Sequence, residues 1–153
     1  MHYHETNKHW NDFIRTVVLL QKNNRKNPTI VAILATESFF RPTLHRFFEY
    51  LYWSVLRLAG SEKEKYVSVG ISQVQVRHWI KSGLISFSAN QISTITKFQN
   101  PILNYDACKY FLSKNKLNGS SGKEIMKIYT GKTTRYHIEI YNHFYDNISA
   151  WYK

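Results

Sequence analysis

Asn27-Pro28-Thr29-Ile30-Val31-Ala32-Ile33-Leu34-Ala35-Thr36-Glu37-Ser38 is the stretch whose reading decides the fold. Asparagine followed by proline is a helix start signal. The Asn27 side chain can cap free backbone N–H groups, and Pro28 lacks an N–H that the first turn would leave unpaired. Ile30 to Ala35 then puts apolar side chains on every side. A helix with no polar face is buried, so this one is expected at the centre of the molecule. It is expected to end in Thr36-Glu37-Ser38, with a carboxylate emerging at the end of the most apolar helix of the chain.

Helical punctuation continues on both sides. Upstream, an amphipathic segment runs from about Trp10 to Gln21 and gives way to a basic loop, Lys22-Asn23-Asn24-Arg25-Lys26. Downstream, Pro42 restarts the chain, and Leu44, Phe47, Phe48, Leu51, Val55 and Leu58 follow at helical spacing up to Gly60. Ser61-Glu62-Lys63-Glu64-Lys65 reads as a charged surface loop. Tyr66 to Val76 alternates like a strand at first, and a short helix is expected to end near Gly83. Ser88-Ala89-Asn90-Gln91 and Ser121-Gly122-Lys123-Glu124 have the form of capping boxes. Asn100-Pro101 starts a helix with Leu103, Ala107, Tyr110 and Phe111 on one face, and Gly131 is placed to close the Ser121 helix. A last helix carries Tyr136, Ile140, Phe144, Ile148 and Trp151 along one stripe. The fold class is therefore all-α, a single domain of seven or eight helices with at most a small irregular β element near residues 62–71.

The 153 residues include 21 Lys and Arg against 10 Asp and Glu, a net charge of +11 that is heavier in the second half of the chain. Such a field favours anionic polymers: nucleic acid, acidic lipid or bacterial cell wall. Aromatic residues reach 16%, with 11 Tyr and 4 Trp, enough to fill a core and also to line a sugar-binding cleft. Cys108 is the single cysteine, so no intrachain disulfide forms, and its setting in Tyr105-Asp106-Ala107-Cys108-Lys109-Tyr110 reads as helix packing. No apolar run reaches transmembrane length, and the opening Met1-His2-Tyr3-His4-Glu5 lacks a signal-peptide pattern. His2, His4 and His9 have no Cys partner for a metal, and His137 and His143 do not share a helix face. No metal or other cofactor is expected.

Four pieces carry the chemistry when taken in order: Ala35-Thr36-Glu37-Ser38-Phe39-Phe40-Arg41-Pro42, Ser68-Val69-Gly70-Ile71-Ser72-Gln73-Val74-Gln75, Asn100-Pro101-Ile102-Leu103-Asn104-Tyr105, and Ile128-Tyr129-Thr130-Gly131 followed by Tyr136. This order resembles the soluble lytic transglycosylase family, whose fold is lysozyme-like. That family has a Glu-Ser pair ending a buried helix, a Gly-Leu-Met-Gln-Ile type segment, an Asn-Pro helix, a Tyr-Asn-Ala-Gly type turn and a later tyrosine. The resemblance covers about residues 27–145. Ser72 departs from the methionine-like position of the second piece, and Thr130 stands where the family has an Asn-Ala pair.

The resemblance implies a lysozyme-like domain over residues 1–153, with an N-terminal helix and basic loop (1–26) before a catalytic core (27–153). It implies cleavage of the β-1,4 bond between N-acetylmuramic acid and N-acetylglucosamine in peptidoglycan. Glu37 would protonate the bridging oxygen and then, as a carboxylate, take the proton of the muramyl C6 hydroxyl as that oxygen attacks C1, leaving a 1,6-anhydro end. Gln73 and the backbone at Gly70 and Ile71 would border the cleft. Ser38 and Ser68 would orient the acid or touch the sugar, and Tyr129 and Tyr136 would lie near the carboxyl. The implied partners are glycan strands and, beyond them, a secretion, phage or envelope protein. The implied location is the periplasm, the envelope or the exterior.

Residue chemistry supports Glu37 independently. An acid held against apolar surface has its charged form destabilised, which raises its pKa towards neutrality. The negative end of the helix dipole pushes the same way. Hydrolysis on the same bond, as in a lysozyme, needs a second carboxylate. None of the four pieces supplies one, and Glu62 and Glu64, set among lysines, read as a solvated face. A rival of another class is a helix-turn-helix from Gln73–Ser82 and Ser88–Phe98, exposing Arg77, His78 and Lys81 to phosphates. Its connection is longer than the compact turn of that motif, and it leaves the buried Glu37 helix unexplained. A glycan-binding relative without catalysis is a third option.

Overall fold

The structure is a computed structural model that describes the backbone of residues 3–41, 43–130 and 134–152, with side chains from Phe13 onward apart from Thr130. The expectations at Pro42 and Gly131, and those for the side chains of His2, His4 and His9, lie outside the described residues. Among the described residues there are eight α-helices: α1 (Tyr3–Lys22), α2 (Pro28–Phe40), α3 (Thr43–Leu58), α4 (Val76–Lys81), α5 (Gln91–Gln99), α6 (Pro101–Lys114), α7 (Gly122–Thr130) and α8 (Arg135–Trp151). A 3-10 turn spans Glu62–Tyr66, and a two-stranded antiparallel hairpin pairs β1 (Ser68–Val69) with β2 (Val74–Gln75). The described residues are mostly helical, so the all-α class with a small β element holds. The β element lies at residues 68–75 rather than 62–71, because the charged run folds into the 3-10 turn under a Ser61 cap.

Helix α2 forms as its sequence dictates. Asn27 Oδ1 accepts from the Ile30 N–H at 3.3 Å, and every residue from Ile30 to Glu37 is buried. The helix does not stop at Ser38. It runs to Phe40, and the Arg41 N–H closes it on the Glu37 carbonyl, so Glu37 lies inside the last turns. Its most extensive packing is against α8.

Two apolar clusters share the interior. The first joins Phe13, Val17 and Leu20 of α1 with α2, Cys108 and Leu112 of α6, Ile125 and Met126 of α7, and α8. The second gathers Tyr50 and Trp53 of α3, the hairpin, Trp79 of α4, Phe98 of α5 and Ala107 of α6. Phe111 and Tyr129 pack against both. Trp53 and Trp79 both meet the Phe98 ring edge-on, at 5.2 and 5.1 Å. Cys108 is a buried packing residue, as expected.

The caps were mostly legible. Asn100 caps α6 through Ile102 and Leu103, and Ser121 with Glu124 forms a reciprocal box on α7. Helix α5 is capped by Asn90 rather than Ser88, which turns aside to bond Ser86. The buried face of α6 is Asn104, Tyr105, Ala107, Cys108 and Leu112, rotated from the face that its apolar spacing suggested. In α8 Phe144 and Ile148 are buried with Tyr141, while Tyr136 and Trp151 are exposed. Among the described residues no helix is long and apolar enough to cross a membrane.

Candidate functional site

The hairpin turn is built around one buried amide. Gly70 sits at φ +74°, and a Cβ there would lie closer than 3.0 Å to both Asn104 Oδ1 and the Phe98 carbonyl. Glycine is required by this close approach and by the left-handed backbone. Asn104 Oδ1 accepts from the Ser72 N–H at 2.9 Å and the Ser72 hydroxyl at 3.0 Å. Its Nδ2 donates to the carbonyls of Phe98 (2.7 Å) and Asn100 (2.8 Å). Low dielectric makes such a fully satisfied network strong, and it holds residues 70–73 in one shape. Gln73 follows in left-handed conformation at φ +51°. The approach that Gly70 permits is thus to the protein's own α6, not to a ligand.

Glu37 is 5% exposed, and burial pushes its pKa up to about 7. The nearby carboxylate of Glu49 adds to the rise, while the cations Arg41 and Arg46 oppose it. Arg41 Nε stands 3.8 Å from Glu37 Oε2, and the same guanidinium donates from Nη1 to Glu49 Oε1 at 2.7 Å. The other Glu49 oxygen accepts from Gln73 Nε2 at 2.8 Å, and that amide also donates to the Gly70 carbonyl at 2.9 Å. A chain of polar contacts therefore runs from α2 through Arg41 to α3 and on to the hairpin turn.

Tyr129 closes the arrangement from α7. Its hydroxyl donates to the Ser72 carbonyl and meets the Cys108 thiol, while its ring packs edge-on against Phe111 at 5.1 Å. Burial raises the pKa of the Tyr129 phenol well above its usual value, with the Cys108 and Glu37 charges acting the same way. The Cys108 thiol is pushed up to about 12, chiefly by burial. Tyr129 thus lies close enough to feel Glu37 and stays protonated. Two buried atoms beside this group have no hydrogen-bond partner among the described residues: Gln73 Oε1 and Arg46 Nε.

Next to this group opens a surface groove of about 560 Å³, lined by Arg41, Glu49, Tyr52, Lys63, Tyr66 and Ser68 among others. Two of the lining residues, Tyr52 and Tyr66, are exposed tyrosines. Glu37 is not on its surface. The Arg41–Glu49 ion pair lines it, and Arg41 also stands beside the acid.

The structure therefore brings together Glu37, Gly70, Gln73 and Tyr129 and puts Ser68 in the adjoining groove. Ile71 is partly buried against the first apolar cluster. Ser38 is half-buried one residue beyond the acid. The half-exposed ring of Tyr136 packs edge-on against Phe39 and Phe40, at 6.4 and 5.6 Å.

Glu49 was missed from sequence. It lies in none of the four motif pieces, and the signal for it was a carboxylate at helical spacing beside Arg46 and the core residues Tyr50 and Trp53 of α3. Glu64, read as solvated, is instead buried 3.8 Å from Arg57, because the 3-10 turn faces it inward. Helix α4 is a single short segment whose Trp79 is buried and whose His78 is partly buried, leaving little of it to enter a nucleic-acid groove. Among the described residues no group of three His, Cys, Asp or Glu side chains is placed to hold a metal ion. No family model matches the chain, no curated protein is detectably similar to it, and no solved structure matches its fold.

Proposed function

We propose that this chain cleaves the glycan strands of bacterial peptidoglycan, with Glu37 as the proton donor and a lysozyme-like arrangement of helices around it. The observation that carries the proposal is a buried carboxyl with its pKa pushed up to about 7, in contact with Arg41 of a groove that Tyr52 and Tyr66 also line. A general acid is most effective when its pKa lies near the working pH. Tyrosine rings beside charged side chains suit a sugar, whose faces are apolar and whose edges carry hydroxyls. The positive net charge of +11 would hold the anionic wall close.

In this proposal a glycan strand enters the groove and displaces Arg41 from over the acid. Glu37 donates its proton to the bridging oxygen, and the C1–O bond breaks. The carboxylate then accepts the proton of the muramyl C6 hydroxyl as its oxygen bonds to C1, so one carboxylate acts as acid and base in turn. Gln73 Oε1 and Arg46 Nε would find partners on the substrate. The place of action would be the periplasm, the envelope or the exterior, alone or with a secretion, phage or envelope partner.

Glu49 favours a second reading of the same site. Hydrolysis needs a second carboxylate near the acid, and Glu49, which shares the Arg41 guanidinium with Glu37, would activate water while Glu37 protonates the leaving oxygen. Clearing of a suspension of purified peptidoglycan tests the shared claim. The wild type is expected to clear it and Glu37→Gln to leave it turbid. A wild type that binds the wall without clearing it would mean glycan binding without catalysis, and salt-sensitive DNA retention without clearing would favour a nucleic-acid role.

A further inference from the structure

Helix α3 turns its most apolar stripe outward. Leu44, Phe48, Leu51, Val55 and Leu58 are all exposed, from 51% at Leu51 to 78% at Leu58. The same helix buries Tyr50 and Trp53, so its attachment to the domain is already made by the opposite face. The exposed positions recur at alternating spacings of four and three, the repeat of a coiled-coil seam. Leu51 is the midpoint, with Leu44 and Leu58 at equal separations on either side.

Two further features point to what covers it. The positions flanking the seam on the exposed side are His45, Phe47, Tyr52 and Ser54, none an acid or a lysine or arginine. A copy of the same helix can therefore approach without like-charge contact, although the whole chain is strongly basic. With Phe47 included, these residues expose roughly 650 Å², within the range that each partner contributes to a standard protein–protein interface. Contiguous apolar patches on monomers are usually smaller than this.

We propose that this face is the interface of a homodimer, in which α3 packs on α3 of a second copy about a two-fold axis near Leu51. A surface that is self-complementary about its midpoint is what a two-fold contact needs. Tyr52 stands at the edge of the seam and also lines the groove, so the dimer would set two grooves side by side along α3. The inference does not depend on the glycan activity.

Sedimentation equilibrium of the full chain tests it. The wild type is expected at twice the chain mass, and Leu51→Glu, which puts two like charges at the centre of the contact, is expected to weaken association at least about 100-fold. Circular dichroism checks that the variant is folded, which is expected because Leu51 touches solvent. Ile92→Glu, a substitution at a still more exposed position on α5, should leave the dimer intact. Leu51→Cys is expected to cross-link to its own copy on mild oxidation. A wild type that stays monomeric at hundreds of micromolar overturns the proposal, as does a dimer that persists in Leu51→Glu. A monomer that instead sediments with phosphatidylglycerol vesicles through Leu51 would assign the face to a lipid surface and equally overturn it.

Discussion

Replacing Glu37 with glutamine should stabilise the protein, by an amount that grows from about pH 4.5 and levels off above about pH 7. In the unfolded chain the carboxyl titrates at about its usual 4.5, whereas in the fold burial pushes it up to about 7. Below the lower value both states are protonated, and the acid costs nothing. As pH rises towards about 7, the unfolded chain releases its proton while the native state retains it, so native stability falls. Above that, the native state must carry a buried carboxylate. Each pH unit of displacement corresponds to ~1.4 kcal/mol, so the loss is on the order of 3 kcal/mol. The glutamine amide of the variant resembles the protonated acid in shape and cannot ionise. The expected result is near-equal stability of the two proteins at about pH 4 and an advantage to the variant approaching ~3 kcal/mol at about pH 9. For a chain of this size the advantage would appear as a rise of roughly 10 °C in Tm, or a shift of roughly one to two molar in the urea midpoint. Urea titrations of both proteins across the pH range measure it, and the other ionisable groups largely cancel in the difference. A difference that does not change with pH, or a variant weaker than wild type at high pH, would refute the assignment of a buried, neutral-range Glu37.

The remaining predictions concern the network around that acid. Glu49→Gln removes a charge that raises the Glu37 pKa, so the alkaline limb of the clearing activity should move to lower pH. If hydrolysis operates, reducing ends should disappear with it, as muropeptide profiles would report. Gly70→Ala should destabilise by more than about 2 kcal/mol in chemical denaturation, since the new methyl meets Asn104 and the φ of +74° is strained for any side chain. Asn104→Ala should cost about 2–4 kcal/mol by leaving the Ser72 and Phe98 groups buried without partners. Cys108, buried and with its pKa pushed up to about 12, should react with a thiol reagent only after denaturation, and early labelling in the native state would contradict its place in the core.

Local signals foretold more of this molecule than its long-range assembly. The Asn27-Pro28 start, the all-round apolar run of α2, the Asn100 cap and the Ser121–Glu124 box are short-range features, and each appears as expected. The end of α2 was misjudged because Thr36, Glu37 and Ser38 look like helix-ending residues when their burial is unknown. The α3 stripe was recognisable as a helix face, but spacing alone does not say whether that face meets its own domain or another surface. Glu49 escaped notice for the same reason, since its importance lies in two contacts, to Arg41 and Gln73, made across separate elements. The role of Gly70 was half legible: its left-handed backbone suits a turn, yet its partner, Asn104, lies in the helix that follows α5. Tyr136 depended on a turn whose residues 131–133 lie outside the described part of the chain.

Mass spectrometry of the soluble products from purified sacculi, incubated with the wild type and with Glu37→Gln, addresses the central claim most directly. Disaccharide-peptides released by the wild type and absent with the variant are the predicted outcome, with 1,6-anhydro ends if Glu37 works alone and reducing ends if Glu49 activates water. Sacculi left whole by the wild type, or fragments released equally by both proteins, would contradict the account.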